Sequence, residues 1–426
     1  MKNPDKYKGF ETLMLHAGQR PDPVTGAVAA PLYQTTTYAF DTAEEGRALF
    51  ALEQPGNIYT RIMNPTNAVL EERMAVLEGG VGALAVASGA AAIMYAILTV
   101  ARAGDEIVSS RTLYGGTFNM FKYVLRDMGI TARFVDINDA AQLEAAINER
   151  TRAVYFESIG NPAADVCDIE QAVRIAHSHG VLTICDSTFT TPYLLRPIDW
   201  GCDVVLHSAT KYLCGHATSL GGVVIDGGNF DFDTARYPSM TEPSESYHGM
   251  RFAKDFGAAG YITKMRTALL RDTGACISPF NSWLILQGVE TLSLRMERHV
   301  SNAVAAAEFL AAHPKVERVW YPTLPSSPYK PLADKYLPRG AGGIFSFDIK
   351  GGVDAGRRFT DSLELFTMCA NVADAKSLVI HPASTTHSQL SEAELLAGGI
   401  SGSMIRLSIG LESEADILAD LKQALG

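Results

Sequence analysis

The segment VVLHSATKYLCGH, residues 204–216, joins an apolar run to side chains that can do chemistry. The apolar residues predict a buried strand, and Ser208, Thr210 and Lys211 follow it directly. A lysine just past a buried strand is withdrawn from water, and desolvation lowers the pKa of its amine toward the neutral nucleophile. The pattern therefore favours imine chemistry at Lys211 over the alternative of a solvent-facing loop lysine.

Two other turns at predicted strand ends carry polar groups. Ser88, Gly89 and Ala90 link the strand ALAVAS to a helix, and glycine there lets backbone N–H groups and the positive helix terminus approach a phosphate. Asp186 closes the strand VLTICD, where a carboxylate can keep a cofactor ring nitrogen protonated. Open α/β sheets bind ligands at these carboxyl ends. The local alternatives are an ordinary turn at Ser88 and a helix cap at Asp186.

Arg406 alternates outward from the apolar strand MIRLSIGLE near the end of the chain. An arginine fork binds a carboxylate with two hydrogen bonds, which suits an amino-acid substrate, although a structural salt bridge explains the position equally well. A phosphate turn, a strand-end aspartate, a strand-end lysine and this arginine together predict a pyridoxal 5′-phosphate site that acts on an amino acid.

Other motifs give weaker predictions. SATK fits the SxxK of serine acyl-enzymes, but the partner strings SDN and KTG do not occur. Cys202, His207, Cys214 and His216 have metal-binding side chains, yet their spacing fits no common zinc site, so we expect no metal and interpret them as core residues. The strings of P-loop ATPases, zincins, α/β-hydrolases and dinucleotide-binding folds are also absent.

Composition narrows the class further. The 426 residues are 47% hydrophobic and 19% charged, which is typical of a globular chain of two packed domains. A net charge of −11 disfavours nucleic acid and anionic lipid as partners. Six cysteines scattered through apolar runs, with no signal peptide, predict a cytoplasmic protein. The uncharged run 79–101 is Ala- and Gly-rich and broken at Ser88, which favours a strand, a turn and a buried helix over a membrane span.

The elements that must position these residues alternate in type. Apolar strands and amphipathic helices follow one another from 63 to 226, which predicts an α/β domain with a mostly parallel sheet covered on both faces. We expect this domain to span 63–270 and a smaller α+β domain to span 271–426. Residues 1–62 predict an extended arm with a short helix near 42–51 that contacts a neighbouring subunit. The polar, aromatic segment 227–258 is expected to be an ordered surface excursion.

Several strings resemble the Cys/Met-metabolism family of pyridoxal-phosphate enzymes, which has the aminotransferase-like fold type I. They are YTRIMNPT, LYGGT, CDSTFTTPY, HSATKYLCGH, HPASTTHSQL and MIRLSIGLE, and the resemblance covers nearly the whole chain. HAGQRPDPVTGAVAAPLYQTT and NVADAKSLVIHPASTTH are similar to the sulfhydrylase branch of that family. That branch implies a transferase that replaces the acetate of O-acetyl-L-homoserine by sulfide or methanethiol, with small-molecule substrates and a homotetramer built from two dimers.

The resemblance also implies roles for particular residues. Lys211 would be the Schiff-base lysine, Asp186 the partner of the ring nitrogen, and Tyr114 the residue that stacks on the ring and moves protons. The groups that would hold the phosphate come from two turns of one subunit and from the arm of its neighbour: Ser88, Gly89, Ala90, Ser208, Thr210, Tyr59 and Arg61. Arg406 would bind the substrate α-carboxylate, with Asn371, Ser377 and Tyr59 close by.

Three departures from the family pattern bear on the activity. Methionine γ-lyases carry cysteine where this chain has Gly116, which disfavours a lyase. Ser187 stands where the family often has asparagine, and Ala90 where sulfhydrylases often have glutamine. The alternatives that stay open are an O-succinylhomoserine sulfhydrylase, cystathionine γ-synthase-like or γ-lyase-like activity, and a catalytically silent relative that binds a partner or metabolite. Intact Lys211 and Arg406 argue against the last.

Overall fold

The computed structural model describes residues 6–162, 164–385 and 401–426. The motif HPASTTHSQL extends to residue 390, so its second half lies outside the described residues. All the predicted site residues lie within them.

A seven-stranded sheet forms the centre of the chain, in the order β1-β7-β6-β5-β4-β2-β3. Its strands are β1 Gly82–Val86, β2 Glu106–Ser110, β3 Thr131–Val135, β4 Thr151–Glu157, β5 Leu182–Asp186, β6 Val204–His207 and β7 Gly222–Asp226. Strand β7 runs antiparallel to both of its neighbours, and the other pairs are parallel. The prediction of an α/β fold with a mostly parallel sheet is confirmed.

Helices cover both faces of this sheet. Those in the first two thirds of the chain are α1 Phe10–His16, α2 Ala43–Phe50, α3 Pro65–Glu78, α4 Gly89–Leu98, α5 Gly115–Asn119, α6 Ala140–Ala146, α7 Ile169–Ser178, α8 Thr191–Leu194, α9 Pro238–Thr241, α10 Phe252–Phe256, α11 Gly260–Lys264 and α12 Arg271–Thr273. Strand β4 shows the consequence, since Val154 and Phe156 enter one hydrophobic core while Ala153 and Tyr155 enter another. Burial on both faces explains the near-continuous apolar strands.

The uncharged run 79–101 folds as predicted, with β1, a turn at Ser88 and helix α4. None of the helices in the described part of the chain combines the length and the apolar character needed to cross a bilayer.

Most residues of the segment 227–258 lie at the surface, as predicted, but a few apolar side chains anchor it to the interior. Phe232, Tyr237, Met240, Tyr247 and Phe252 are buried and belong to the core that packs on one face of the large sheet. The Tyr237 hydroxyl donates to the Arg152 carbonyl at 2.9 Å and accepts from the Leu182 N–H at 2.8 Å. Burial of aromatic side chains therefore fixes to the sheet a segment whose polar residues face solvent.

The C-terminal part forms a second, five-stranded sheet in the order β10-β11-β12-β9-β8. Its strands are β8 Val316–Trp320, β9 Ile344–Ile349, β10 Thr367–Met368, β11 Leu378–Ile380 and β12 Met404–Ser408. The accompanying helices are α13 Pro279–Val289, α14 Leu292–Ala312, α15 Lys330–Tyr336, α16 Gly352–Ser362 and α17 Glu414–Leu425. Strand β12 lies inside this sheet, between β9 and β11, and delivers Arg406.

The N-terminal arm is extended, with α2 close to the predicted helix at 42–51. Its apolar side chains Val24 and Val28 are 89% and 80% exposed, and Phe50 is also exposed. An apolar surface of this kind is typical of a segment that another chain covers.

Candidate active site

A cavity of about 330 Å³ opens at the carboxyl ends of β4, β5 and β6, between the large sheet and β12. It brings together most of the predicted site residues, which are Ser88, Gly89, Ala90, Tyr114, Asp186, Ser208, Thr210, Lys211, Asn371 and Arg406. Parallel strands end at one edge of a sheet, so residues far apart in the chain converge there.

Lys211 lies in the turn after β6. The turn is closed by backbone hydrogen bonds from Lys211 N–H to the Ser208 carbonyl at 3.1 Å and from Gly215 N–H to the Lys211 carbonyl at 2.8 Å. The Nζ atom donates to Asn371 Oδ1 across the cavity. Burial, together with the charge of Arg406, lowers the pKa of Lys211. The backbone of the turn and the Nζ contact therefore fix the position of the lysine, and its partial burial favours the neutral amine.

Asp186 is the last residue of β5, and its carboxylate accepts several hydrogen bonds. Oδ1 accepts from the Thr188 N–H at 3.0 Å and from the Thr188 hydroxyl, and Oδ2 accepts from the Tyr155 hydroxyl at 3.4 Å. The same Thr188 oxygen accepts from the Ser208 N–H at 2.9 Å, which joins the ends of β5 and β6. Burial raises the pKa of Asp186, and the hydrogen bonds from Thr188 oppose that rise.

Two glycines let the first turn of α4 pack closely against its neighbours: Gly89 allows contact with the lysine turn, and Gly222 allows contact with β7. A Cβ on Gly89 would lie 2.7 Å from Ser208 Cβ, and a Cβ on Gly222 would lie 2.2 Å from the Ser88 carbonyl oxygen. Ser88 caps the helix, because its hydroxyl accepts from the Ala91 N–H at 3.1 Å. The N–H groups of Gly89 and Ala90 have no acceptor within the helix, so this end of the cavity fits a phosphate group.

Arg406 reaches the cavity from β12. Burial lowers the pKa of its guanidinium to about 10. Its hydrogen bonds are long, 3.4 Å to Asn161 Oδ1 and 3.4 Å to the Asn371 carbonyl. Within 6–162, 164–385 and 401–426 no carboxylate forms an ion pair with Arg406, so the structural salt bridge that the sequence left open is not seen there. The fork is available to a ligand carboxylate.

Tyr114 stands at the mouth of the cavity with 58% of its surface exposed. Its backbone N–H donates to Glu157 Oε1 at 2.7 Å. Its ring lies over Gly116, where an added Cβ would come 2.4 Å from Tyr114 Cε1. The position of the ring therefore depends on the hydrogen bond from the Tyr114 backbone to Glu157 and on the absence of a side chain at Gly116.

Three of the predicted residues lie outside this cavity. The Ser377 hydroxyl donates to Glu412 at 2.8 Å and accepts from the Gly410 N–H at 2.9 Å, so it is bonded within the C-terminal part. Tyr59 and Arg61 lie on the arm, where the guanidinium carbon is 5.2 Å from the Tyr59 ring centroid. In its own subunit the arm does not line the cavity.

Sequence reasoning missed Glu157, Asn161 and Thr188, which also line the cavity. The available signal for Glu157 was its position at the end of the strand RAVYFE, because β4 and β5 pair in register and place Glu157 beside Asp186. Thr188 could have been found from its place two residues after Asp186, the usual spacing of an Asx turn.

The side chains considered for a zinc site are hydrogen-bonded in separate places. His207 Nε2 bonds to Glu78 in the core, and His216 Nδ1 bonds to the Cys214 carbonyl at 2.7 Å. The Cys202 thiol donates to the backbone carbonyl of Val204 at 3.4 Å. Cys202, His207 and Cys214 are buried, as the sequence predicted, whereas His216 is exposed and is not a core residue.

Comparison with known proteins decides the family. The family model described as Cys/Met metabolism PLP-dependent enzyme matches residues 11–426. The chain belongs to this family. Its cofactor is therefore pyridoxal 5′-phosphate, in agreement with the phosphate cradle and the strand-end aspartate.

Relatives with curated names cover nearly the whole length of the chain. An O-acetyl-L-homoserine sulfhydrylase of Leptospira meyeri is 50% identical over 424 residues, 97% of this chain and 96% of the relative. A homocysteine synthase of Schizosaccharomyces pombe is 50% identical over 425 residues, 99% of each. A crystal structure of a Campylobacter jejuni protein assigned as an O-acetylhomoserine (thiol)-lyase superposes with a TM-score of 0.95 at 43% identity, covering 98% of this chain and 99% of that one. That protein carries N′-pyridoxyl-lysine-5′-monophosphate.

Proposed function

We propose that this protein is an O-acetyl-L-homoserine sulfhydrylase. The reaction replaces the acetate on Cγ of O-acetyl-L-homoserine by sulfide to give L-homocysteine, or by methanethiol to give L-methionine, with acetate as the second product. The observation that carries the proposal is that Arg406, partly buried and without a carboxylate partner in the described part of the chain, shares one cavity with Lys211 and Asp186. The full-length relatives named for this activity support it.

The cavity has polar groups that suit two parts of the cofactor, its phosphate and its ring nitrogen. The N–H groups of the Gly89 turn, with the hydroxyls of Ser208 and Thr210, would hold the phosphate, and Asp186 would bond the ring nitrogen. Tyr114 would cover the ring from the cavity mouth. The bound cofactor supplies an electron sink for the pair left when a proton leaves the substrate Cα.

Lys211 has the properties of the base that removes this proton. Its pKa is lowered by burial, so more of it is neutral at physiological pH than of an exposed lysine. The Asn371 amide oxygen accepts from Nζ and limits where the amine can lie. Tyr114, whose phenol lies at the open side of the cavity, would move protons near Cγ as acetate leaves and sulfur adds.

Arg406 would bind the substrate α-carboxylate with both arms of its fork. The cations among the cavity residues of this chain are Lys211 and Arg406, and both already have roles. The remaining lining includes the apolar side chains Ile93, Met120 and Phe189. A succinyl ester would bring a second carboxylate into a cavity where, among the described residues, both cations already have roles, and an arginine entering from the neighbouring subunit would pair with the phosphate, which favours the acetyl ester.

The proposal extends to the assembly. Tyr59 and Arg61 would complete the phosphate site of a neighbouring subunit, since they lie outside the cavity of their own. Two dimers with shared sites would form the homotetramer, with the arm and its exposed Val24 and Val28 covered at the interface. Free cysteines in the described chain fit a cytoplasmic enzyme of homocysteine and methionine synthesis.

The test is to follow the products of the purified, cofactor-loaded protein with O-acetyl-L-homoserine, with and without sulfide. We expect homocysteine and acetate in equal amounts, only when sulfide is present, and no turnover by Lys211→Ala. The succinyl ester should react with at least about a tenfold lower kcat/KM, the factor that corresponds to one mispaired charge of about 1.4 kcal/mol. Release of α-ketobutyrate and ammonia at a rate independent of sulfide would instead identify a γ-lyase, and absence of turnover a silent relative.

A further inference from the structure

Glu157 is a buried carboxyl group at the cavity to which neither the sequence motifs nor the proposed reaction assigns a role. It ends β4 beside Asp186, with which it is paired in the parallel ladder. It is 8% exposed and lines the cavity. Its one hydrogen bond in the described chain is accepted by Oε1 from the Tyr114 N–H at 2.7 Å. A buried carboxyl group with a single protein donor needs an explanation.

Burial and nearby charges act on two neighbouring carboxyl groups, those of Glu157 and Asp186. Asp186 accepts from Thr188 and Tyr155, whereas Glu157 accepts only from a backbone N–H. Asp165, buried in the loop after β4, adds a third acidic group nearby. Burial first, and the negative charge of Asp186 second, raise the pKa of Glu157 well above its ordinary value. These surroundings favour the protonated form of Glu157, and a protonated carboxyl group still offers a carbonyl oxygen as acceptor.

The segment that Glu157 contacts contains the most exposed aromatic ring of the site. Tyr114 is the residue that precedes α5, and its ring rests on Gly116 with no side chain beneath it to hold it. A neighbouring contact holds the same loop at a different residue, where the Thr112 hydroxyl donates to Asp165 at 2.6 Å. Among the described contacts of Tyr114, the bond to Glu157 is the one that fixes its backbone to the sheet.

We propose that Glu157 is a positioning residue whose Oε1 atom fixes the backbone of Tyr114, and with it the Tyr114 ring over the cavity. Glu157 reaches Tyr114 from a strand of the central sheet, which is rigid compared with the loop. The catalytic consequence rests on the proposed function, because Tyr114 moves protons during the replacement. The tether itself does not depend on which reaction the cavity performs.

Two substitutions separate the acceptor from the charge. Glu157→Gln keeps a carbonyl oxygen at the same distance and is neutral, whereas Glu157→Leu has a similar volume and no acceptor. In the cofactor-loaded protein, hydrogen exchange at the Tyr114 amide should accelerate about tenfold or more in Glu157→Leu and change less than about threefold in Glu157→Gln. With equal cofactor content, kcat should fall about tenfold in Glu157→Leu with KM nearly unchanged, because Arg406 still binds the substrate.

Equal exchange at Tyr114 in Glu157→Leu and the unmodified protein would overturn the proposal. Loss of activity in Glu157→Gln as large as in Glu157→Leu would also overturn it, since the charge and not the acceptor would then matter. If Glu157→Leu does not fold, Glu157→Asp replaces it, because its carboxyl group is one methylene too short to reach Tyr114 and should show the same faster exchange. If the unmodified protein makes no homocysteine, the proposed function fails. The hydrogen-exchange comparison still tests whether Glu157 fixes the backbone of Tyr114.

Discussion

The guanidinium of Arg406, on β12, is partly buried. It forms two long hydrogen bonds and has no carboxylate partner in the described chain. Lysine at this position keeps the charge but loses the two-armed geometry. We therefore expect Arg406→Lys to lower kcat/KM for O-acetyl-L-homoserine by about 10- to 100-fold, which corresponds to about 1.5 to 3 kcal/mol. Steady-state kinetics check this.

Arg318→Lys is the matched control for that substitution. Arg318 is exposed on β8 of the same sheet, where it stacks on Trp320, and it does not line the cavity. Its replacement should leave kcat/KM within about twofold of the unmodified enzyme. If the two lysine variants behave alike, Arg406 does not bind the substrate carboxylate.

Burial of Lys211 has a consequence for stability without cofactor. Because its pKa is lowered on folding, the unfolded chain binds more protons than the folded chain between the folded pKa and the ordinary value of 10.5. The free energy of unfolding of the cofactor-free protein should therefore rise with pH across that interval. Lys211→Met lacks this proton, so it should be more stable than the unmodified protein at neutral pH, with a difference that shrinks toward pH 10.

Urea titrations of both cofactor-free proteins at several pH values measure that difference. A constant difference from pH 7 to 10 would show that Lys211 is not desolvated in the folded chain.

At the scale of single residues, the sequence was sufficient to place Lys211, Asp186 and Arg406 in one cavity, because each follows or occupies an apolar strand that fixes its location. It was insufficient for Glu157, whose surroundings depend on the pairing register of β4 with β5. Register and loop conformation are set by tertiary packing, which local patterns do not encode. Ser377 shows the same limit, because its string predicts proximity to Arg406 while its hydroxyl bonds Glu412.

Among the elements, the first turn of α4 depends on close contact with the lysine turn. A Cβ on Gly89 would meet three Ser208 atoms, Cβ, Oγ and Cα, at 2.7, 2.9 and 3.0 Å. Gly89→Ala should therefore push the helix end away from Ser208 and weaken binding of pyridoxal 5′-phosphate by about tenfold or more, a loss of about 1.4 kcal/mol. Titration of the cofactor-free protein with pyridoxal 5′-phosphate, followed by tryptophan fluorescence, measures this.

The adjacent residue provides the control for the helix substitution. Ala90 is exposed in the same turn. Ala90→Gln should retain the affinity for the cofactor within about threefold, since it adds no atom against Ser208. Equal affinities of Gly89→Ala and the unmodified protein would mean that this turn does not bind the phosphate.

The order of the elements could be predicted well where strands are buried on both faces, because their apolar runs stand out against amphipathic helices. The burial of the aromatic residues in segment 227–258 was not predicted, because these residues are separated by polar ones in no regular period. Only the folded chain shows that Phe232, Tyr237 and Phe252 meet in one core. The reversed direction of β7 was also not predicted, since an apolar strand looks the same in either direction.

For the whole molecule, a shared active site predicts complementation between two inactive variants. Arg61→Ala lacks the group proposed to reach the neighbouring phosphate, and Lys211→Ala lacks the amine, so each alone should have little activity. In a dimer with one of each, one site contains both defects and the other contains neither. Subunits mixed and reassembled at random should therefore regain about a quarter of the activity.

As a control, each variant is taken through the same dissociation and reassembly alone, which measures any activity that the procedure itself restores. Activity no higher than the mean of the two variants would show that Arg61 acts within its own subunit or not at all.

The claim on which the site and the proposed reaction both depend is that Lys211 carries the cofactor. Lys264 is a second buried lysine, with its pKa lowered by burial to about 7, but it donates to the Thr99 carbonyl and does not line the cavity. Geometry therefore favours Lys211, although both amines are desolvated. Reduction of the cofactor-loaded protein with sodium borohydride, followed by digestion and mass spectrometry, should find the pyridoxyl phosphate group on Lys211. Label on Lys264 or on another lysine would contradict the site described above.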